Sequence, residues 1–356
     1  PNSFIVGSGS FTITMAGITA QTFVNYDDIE NLTIGSAAND QDVTITNPFI
    51  LQSQLSFTAG WAGTLYIDAN MTYNGGAVTI PEGATVVINN GYSLTTNGNI
   101  TVAGTLKIMP GASLRLGNNE ILTVNNGGSL IVAGASGNAA KIMSSDTNDQ
   151  FTFTMNGILS ADYFQFARMT TAGLNVGATG VVQKLDNGEF HYPQTNGDAI
   201  RIAAGAVMPA TINQVGFSND ANRAGTKNFN SAYTGANVTV NNWTGNGDNA
   251  NERADAGNRI GWGTQAGTKL TVVDNSNPPN TLNQATTATL GSFSFALNQA
   301  SVSTNITRVK ITASGTATSS DIDYITVYAD AAGSMNCTLN VGTDTVIANQ
   351  VALTGS

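Results

Sequence analysis

One imidazole and one thiol bound the chemistry open to this chain: His191 and Cys337 stand alone among 356 residues. A single histidine leaves out every metal centre that needs two, and a single cysteine leaves out a disulfide framework or a multi-cysteine zinc site. His191 sits in Phe190-His191-Tyr192-Pro193, next to Glu189 and near Asp186. A general base needs a partner and a pocket. Here the sequence supplies a carboxylate but no nucleophile, so His191 reads as a surface or loop residue. Carboxylates also gather at Asp27, Asp28 and Glu30, at Asp40 and Asp42, at Asp146 and Asp149, and at Asp321 and Asp323. Calcium takes six to eight oxygens, and none of these groups has the spacing of an EF-hand loop. Asp321 and Asp323 fall on one face of a strand, where like charges repel unless a cation or a lysine intervenes. A solvated face is the first expectation there, a calcium ion the alternative, and no other cofactor is expected. Glycoside cleavage needs two carboxyl groups roughly 5 to 9.5 Å apart. Asp186 and Asp198 qualify only if they stack, with Arg201 and Arg168 as the nearby cations. Trp61, Trp243, Trp262, Tyr66, Tyr73 and Tyr92 are scattered, and core or coil-capping roles suit them better than a sugar-stacking row. No catalytic residue is assigned.

The elements that must position these residues come from a repeat. The apolar pairs Leu106/Ile108, Leu114/Leu116, Leu122/Val124 and Leu130/Val132 recur at a spacing of eight. Leu65/Ile67, Val78/Ile80, Val86/Ile88 and Ile100/Val102 share the form less regularly. Each pair is a short strand with one apolar face. Gly104, Gly111, Gly117, Asn118, Asn125, Asn126 and Gly127 fill the gaps, and these residue types tolerate the left-handed backbone of tight corners. Strands this short cannot form independent hairpins. Stacked coils bury them instead, with three strands per coil of about 24 residues. The fold class read from this pattern is all-β, a parallel β-helix (solenoid) followed by an Ig-like β-sandwich.

Past Ala140 the pattern loosens, with Phe151/Phe153, Phe164/Phe166, Val181/Val182, Ile200/Ile202 and Val238/Val240 as later rungs and Ile260-Gly261-Trp262 as the last. With strands such as ADYFQFARM and GDAIRIAAG following regular coils, residues 60–263 resemble the secreted bacterial right-handed parallel β-helix proteins. That resemblance is one of architecture, with no family-defining motif. Lyases and hydrolases on such folds carry Asp, Lys or Arg on adjacent rungs, which is why Asp198, Arg201 and Arg168 are singled out. Beyond Asn277-Pro278-Pro279-Asn280, alternating strands near 290–295, 307–311, 322–328, 337–341 and 346–347 resemble the Ig-like modules of bacterial surface proteins, without their Cys…Trp…Cys core. The expected domains are an N-terminal strand or cap segment over 1–60, the β-helix over 61–265, a linker over 266–285 and the sandwich over 286–356.

Composition bears on partners. Charged residues make up 10% of the chain against the usual quarter or so. The net charge is -10, so no basic stripe is present for nucleic acid. No apolar run approaches the roughly 18 to 20 residues of a membrane-spanning helix. The Asn- and Thr-rich composition fits a protein that works outside the cell, and a start at Pro1 without Met fits a removed export signal. In the first segment Phe4, Val6, Phe11, Ile13 and Met15 alternate with small polar residues. They read as a cap, or as a strand that adds to a neighbouring subunit. The functional expectation is a non-catalytic extracellular structural protein, an adhesin-like or self-assembling fibre or layer subunit. Its main partner would be another copy of itself. The alternative is a β-helix protein that binds or cleaves polysaccharide.

Overall fold

A computed structural model describes residues 12–24, 28–36, 38–192, 194–217, 227–245 and 253–263, together with four later strands. Two compact units divide the chain, Pro1–Ala266 and Gly267–Ser356. The first is a parallel β-solenoid of about ten turns. Its largest sheet stacks eleven strands, from Thr12–Met15 to Thr244–Gly245. A second stacks eight, from Val78–Ile80 to Arg253–Asp255, and a third stacks eight, from Gln21–Phe23 to Val181–Asp186. Three further strands, Thr211–Asn213, Val238–Asn241 and Ile260–Trp262, form their own parallel ladder in the late coils. No helix occurs among the described residues.

The apolar-x-apolar pieces become rungs in register. Ile100 pairs with Val78 on one side and Leu122 on the other, Leu106 with Val86 and Leu130, and Leu114 with Leu94 and Ile142. All of these side chains are buried, so like stacks on like up the inside of the coil. The ladders of Thr12–Met15, Ile29–Ile34 and Phe49–Phe57 belong to the same large sheet and run on past residue 60 into Met71–Tyr73. On the outside of the second sheet Thr79, Thr101, Thr123 and Thr154 stand on consecutive rungs. Cross-strand threonine pairs suit an outer sheet face and need no charge.

The looser pattern past Ala140 has a packing cause. The core changes there from aliphatic to aromatic. Phe153, Phe164, Phe166 and Phe190 contact one another with ring centroids 4.5 to 5.8 Å apart, and the series continues through Phe217 and Phe229 to Trp262. Register shifts fall in the same region, between Phe151 and Phe153 and between Leu159 and Ser160.

The corner residues divide into two kinds. Gly111, Gly127 and Asn119 do hold left-handed backbone, with φ of 71°, 90° and 62°. Gly104, Gly117, Asn118, Asn125 and Asn126 do not. Gly104 is required for a different reason: an added Cβ would lie 2.2 Å from the Pro81 carbonyl oxygen and 2.3 Å from that of Ala84.

In the second unit the described strands are two antiparallel pairs, Leu270–Asp274 with Phe293–Leu297 and Ile325–Ala329 with Thr345–Val351. The candidate metal ligands Asp321 and Asp323, and the contact candidates Phe4, Val6 and Phe11, lie outside the described residues. So do the strands read near 307–311 and 337–341.

Candidate functional site

The described carboxylates among those singled out in the sequence are scattered over the solenoid, where most of them brace one coil against the next. The Asp40 carboxylate accepts the Ala62 backbone N–H at 2.7 Å and Asp42 that of Thr64 at 2.9 Å, each one coil on. Asp28 accepts from Gln52 at 2.8 Å, and Asp68 accepts from Asn89. Asp149 accepts from the Ser145 hydroxyl, and Asp146 accepts the Asn148 N–H within its own turn, which holds the Asp146 carboxyl below its usual pKa. Amides do the same work: Asn97 donates to Asn74, and Asn74 to Gln52. Short polar side chains at corners thereby satisfy backbone groups that a turn leaves unpaired.

Asp186 and Asp198 do not stack. Asp186 ends a strand of the third sheet, where its carboxylate accepts the Asn213 N–H at 2.7 Å. Asp198 opens a strand of the second sheet, ladder-paired with Lys227. It is 5% exposed, and Arg201 donates to it from Nε at 2.9 Å and Nη2 at 2.6 Å, with Asn230 adding a third bond at 3.1 Å. Arg168 lies apart from both, its guanidinium 4.3 Å from the centroid of the Tyr192 ring. His191 Nε2 lies 2.5 Å from Glu189 Oε2, so the imidazole is tied to a carboxylate whose side chain is 59% exposed. Trp61, Tyr73 and Trp243 are buried core; Trp61 stacks on Phe57 and donates its indole N–H to the Gln41 carbonyl. Tyr92 is exposed, and Tyr66 and Trp262 are half-buried. Among the described residues no group of three or more His, Cys, Asp or Glu side chains is placed to hold a metal ion.

One arrangement was not singled out from the sequence. At the corner leaving the third sheet, and leaving the three-stranded ladder in the late coils, successive coils place Tyr163, Asn187, Gln214 and Asn242 in left-handed backbone, with φ of 46°, 54°, 54° and 51°. Each of the first three sends its N–H to the carbonyl of the Asp or Asn that precedes the next: Tyr163 to Asp186, Asn187 to Asn213, Gln214 to Asn241. Beside this column runs another of Asp162, Asp186, Asn213 and Asn241: Asn187 donates across to Asp162, Asn213 to Asp186 and Asn241 to Asn213. The recurring text Asp-Tyr, Asp-Asn, Asn-Gln, Asn-Asn just before an apolar or glycine-led strand was the available signal. Its period drifts from 24 to 28 residues through longer loops, which hides it from a fixed-spacing search.

Outside this corner the surface is hollowed into an open groove of about 290 Å³, lined by the four left-handed residues with Glu189 and Thr244. Gly216 keeps its floor open: an added Cβ would lie 2.9 Å from Thr244 Oγ1 and 3.2 Å from Glu189 Cγ. Glu189 is the only carboxylate lining the groove among the described residues.

The best-braced point of the corner is Asp162, which accepts from Lys184 Nζ and Asn187 Nδ2, both at 2.7 Å. Partial burial pushes the Asp162 carboxyl up, but these two donors outweigh it and hold the pKa below the ordinary value; Lys184 is raised, chiefly by its bond to Asp162. The lowered Asp162 contributes stability that is present above its unfolded pKa of about 4 and lost as pH falls through the folded value. The raised Lys184 contributes below its unfolded pKa of about 10.4 and loses that as pH rises through the folded value. Both side chains are partly exposed, so Lys184→Met should cost no more than about 1 kcal/mol. Thermal melts should show that deficit at neutral pH and its shrinking as the pH falls below about 4 through the lowered folded value of Asp162. A deficit that persists unchanged at pH 3 would contradict the pairing.

No protein-family model, curated protein or solved structure matches this chain.

Proposed function

We propose that this chain is a non-catalytic extracellular structural protein, a cell-surface adhesin-like or self-assembling fibre or layer subunit, whose C-terminal unit is an Ig-like sandwich. The observation that carries the reading is the use of the acidic side chains. Asp40, Asp42, Asp162, Asp186 and Asp198 bond to the next coil or to a neighbouring cation, and they serve the fold rather than a shared cleft. The first coil adds a second support. Thr12–Met15 and Gln21–Phe23 are the outermost strands of their sheets among the described residues, and an outermost strand offers an edge for pairing. Around that edge Ile13 and Met15 are half-buried, while Ile18 is 78% and Val24 52% exposed. Apolar side chains beside a strand edge suit addition of a second copy, and a low surface charge offers little repulsion against it. The test is assembly of the full chain against a chain lacking residues 1–18. The truncated protein should stay dispersed while its circular dichroism keeps the solenoid signal. A truncated chain that still assembles would contradict strand addition.

A further inference from the structure

We propose that the corner groove binds a neutral glycan chain lying along the solenoid axis, a function separate from assembly. Three observations converge on it.

The first is the lining. No hydrogen bond holds the side-chain amides of Gln214 and Asn242 among the described residues, and both residues are exposed. An amide both donates and accepts, as a sugar hydroxyl does, and the Glu189 carboxylate accepts from hydroxyls. Tyr163 also lines the groove, and an aromatic residue suits the apolar face of a pyranose.

The second is the spacing. Successive coils lie about 4.8 Å apart, so four corner residues extend over about 14 Å. A ligand that repeats its hydroxyls along an extended chain meets a protein that repeats its amides along the same direction. A compact ligand would use one coil and leave the others idle.

The third is backbone strain. Left-handed backbone is cheap for Asn, but it costs about 1 kcal/mol or more for a residue such as Tyr or Gln. Tyr163 and Gln214 hold it at the two coils flanking Asn187. Strain of this kind points to a side chain with work to do beyond the turn. Charge selects the class of glycan. Glu189 is the groove's only described ionic group, so a uronic-acid or sulfated polymer meets a like charge there and no described cation in the lining.

The experiment is affinity electrophoresis of the full chain in native gels containing galactomannan, xyloglucan or mixed-linkage β-glucan. Alginate and polygalacturonate serve as acidic comparisons, and a polymer-free gel as the reference for mobility. The wild type should be retarded by at least one neutral polymer and by neither acidic one. The double variant Gln214→Gly/Asn242→Gly removes both free amides and suits the left-handed backbone, so circular dichroism and melting should hold. Its affinity for the retarding polymer should fall at least tenfold. If the double variant loses its fold, each single glycine variant is read in its place. Absence of retardation by every neutral polymer, retardation by acidic polymers alone, or equal retardation of wild type and variant would each overturn the proposal. None of these outcomes bears on assembly, which is scored separately by particle size.

Discussion

Phe166→Ala should lower the stability of the solenoid by about 3–5 kcal/mol, the range for deleting a fully buried aromatic ring. Phe166 has no exposed surface and lies 4.5 Å from Phe164, 5.5 Å from Phe153 and 5.8 Å from Phe190, ring centroid to ring centroid. Phe164 shares its strand, Phe153 stands on the second sheet and Phe190 on the same sheet one rung on, so the cavity opens where the coil walls meet. Rung ladders above and below restrain the backbone from closing it. In a solenoid each coil is held by its neighbours, so the loss should spread locally before it becomes global. Hydrogen exchange should therefore accelerate first in Phe151–Met155, Phe164–Ala167 and Glu189–His191, and the urea midpoint should fall. A change below about 1 kcal/mol would mean the aromatic core is not continuous as described.

Gly157→Val should cost at least about 3 kcal/mol, for backbone reasons rather than core volume. A Cβ at this position would lie 2.3 Å from the carbonyl oxygens of both Asn125 and Gly128 and 2.9 Å from a Val124 methyl. Neither oxygen can move freely: the Gly128 carbonyl accepts the Ile158 N–H at 2.9 Å, and the Asn125 carbonyl accepts the Gly128 N–H at 2.9 Å. Gly104, Gly128, Gly157 and Gly180 occupy the same place on successive coils, each just before a strand of the third sheet. Each has at least one carbonyl oxygen 2.2 to 2.4 Å from where a Cβ would stand. Gly127→Ala is the informative contrast. Its site is open, with nothing within 4 Å of an added Cβ, and only its φ of 90° resists a side chain. The penalty there should be about 1–2 kcal/mol. Urea titrations of both variants should separate the two kinds of glycine. Equal penalties would contradict the distinction.

That distinction shows how far the sequence could be read. The strand pairs of residues 65–132 were legible because an eight-residue spacing of apolar pairs has few solutions, and stacked coils are the one that buries every pair. The corner glycines were visible too, but sequence text does not separate a glycine needed for φ from one needed for close approach. Gly127 belongs to the first kind and Gly104 to the second. Past Ala140, aromatic core residues and longer loops shift the period, so rung register was lost and the pairing of Asp186 with Asp198 could not be judged. The groove was the least legible feature. Its lining comes from four coils at drifting intervals, and its residue types are those of ordinary turns. Only the stacking of one coil on another turns Tyr163, Asn187, Gln214 and Asn242 into a surface.

The charge deficit takes on a structural sense in this arrangement. Where a typical protein carries Lys and Glu, the solenoid carries outward threonine ladders and Asn or Asp braces that bond to the next coil. A surface of that kind repels a second copy weakly, which is why assembly is the centre of the account. Negative-stain electron microscopy of the purified full chain at neutral pH tests it most directly. The account predicts ordered fibres or sheets with a regular subunit repeat, replaced by dispersed particles when residues 1–18 are removed. Dispersed particles from the full chain, across the concentrations at which a surface layer or fibre would form, would contradict it.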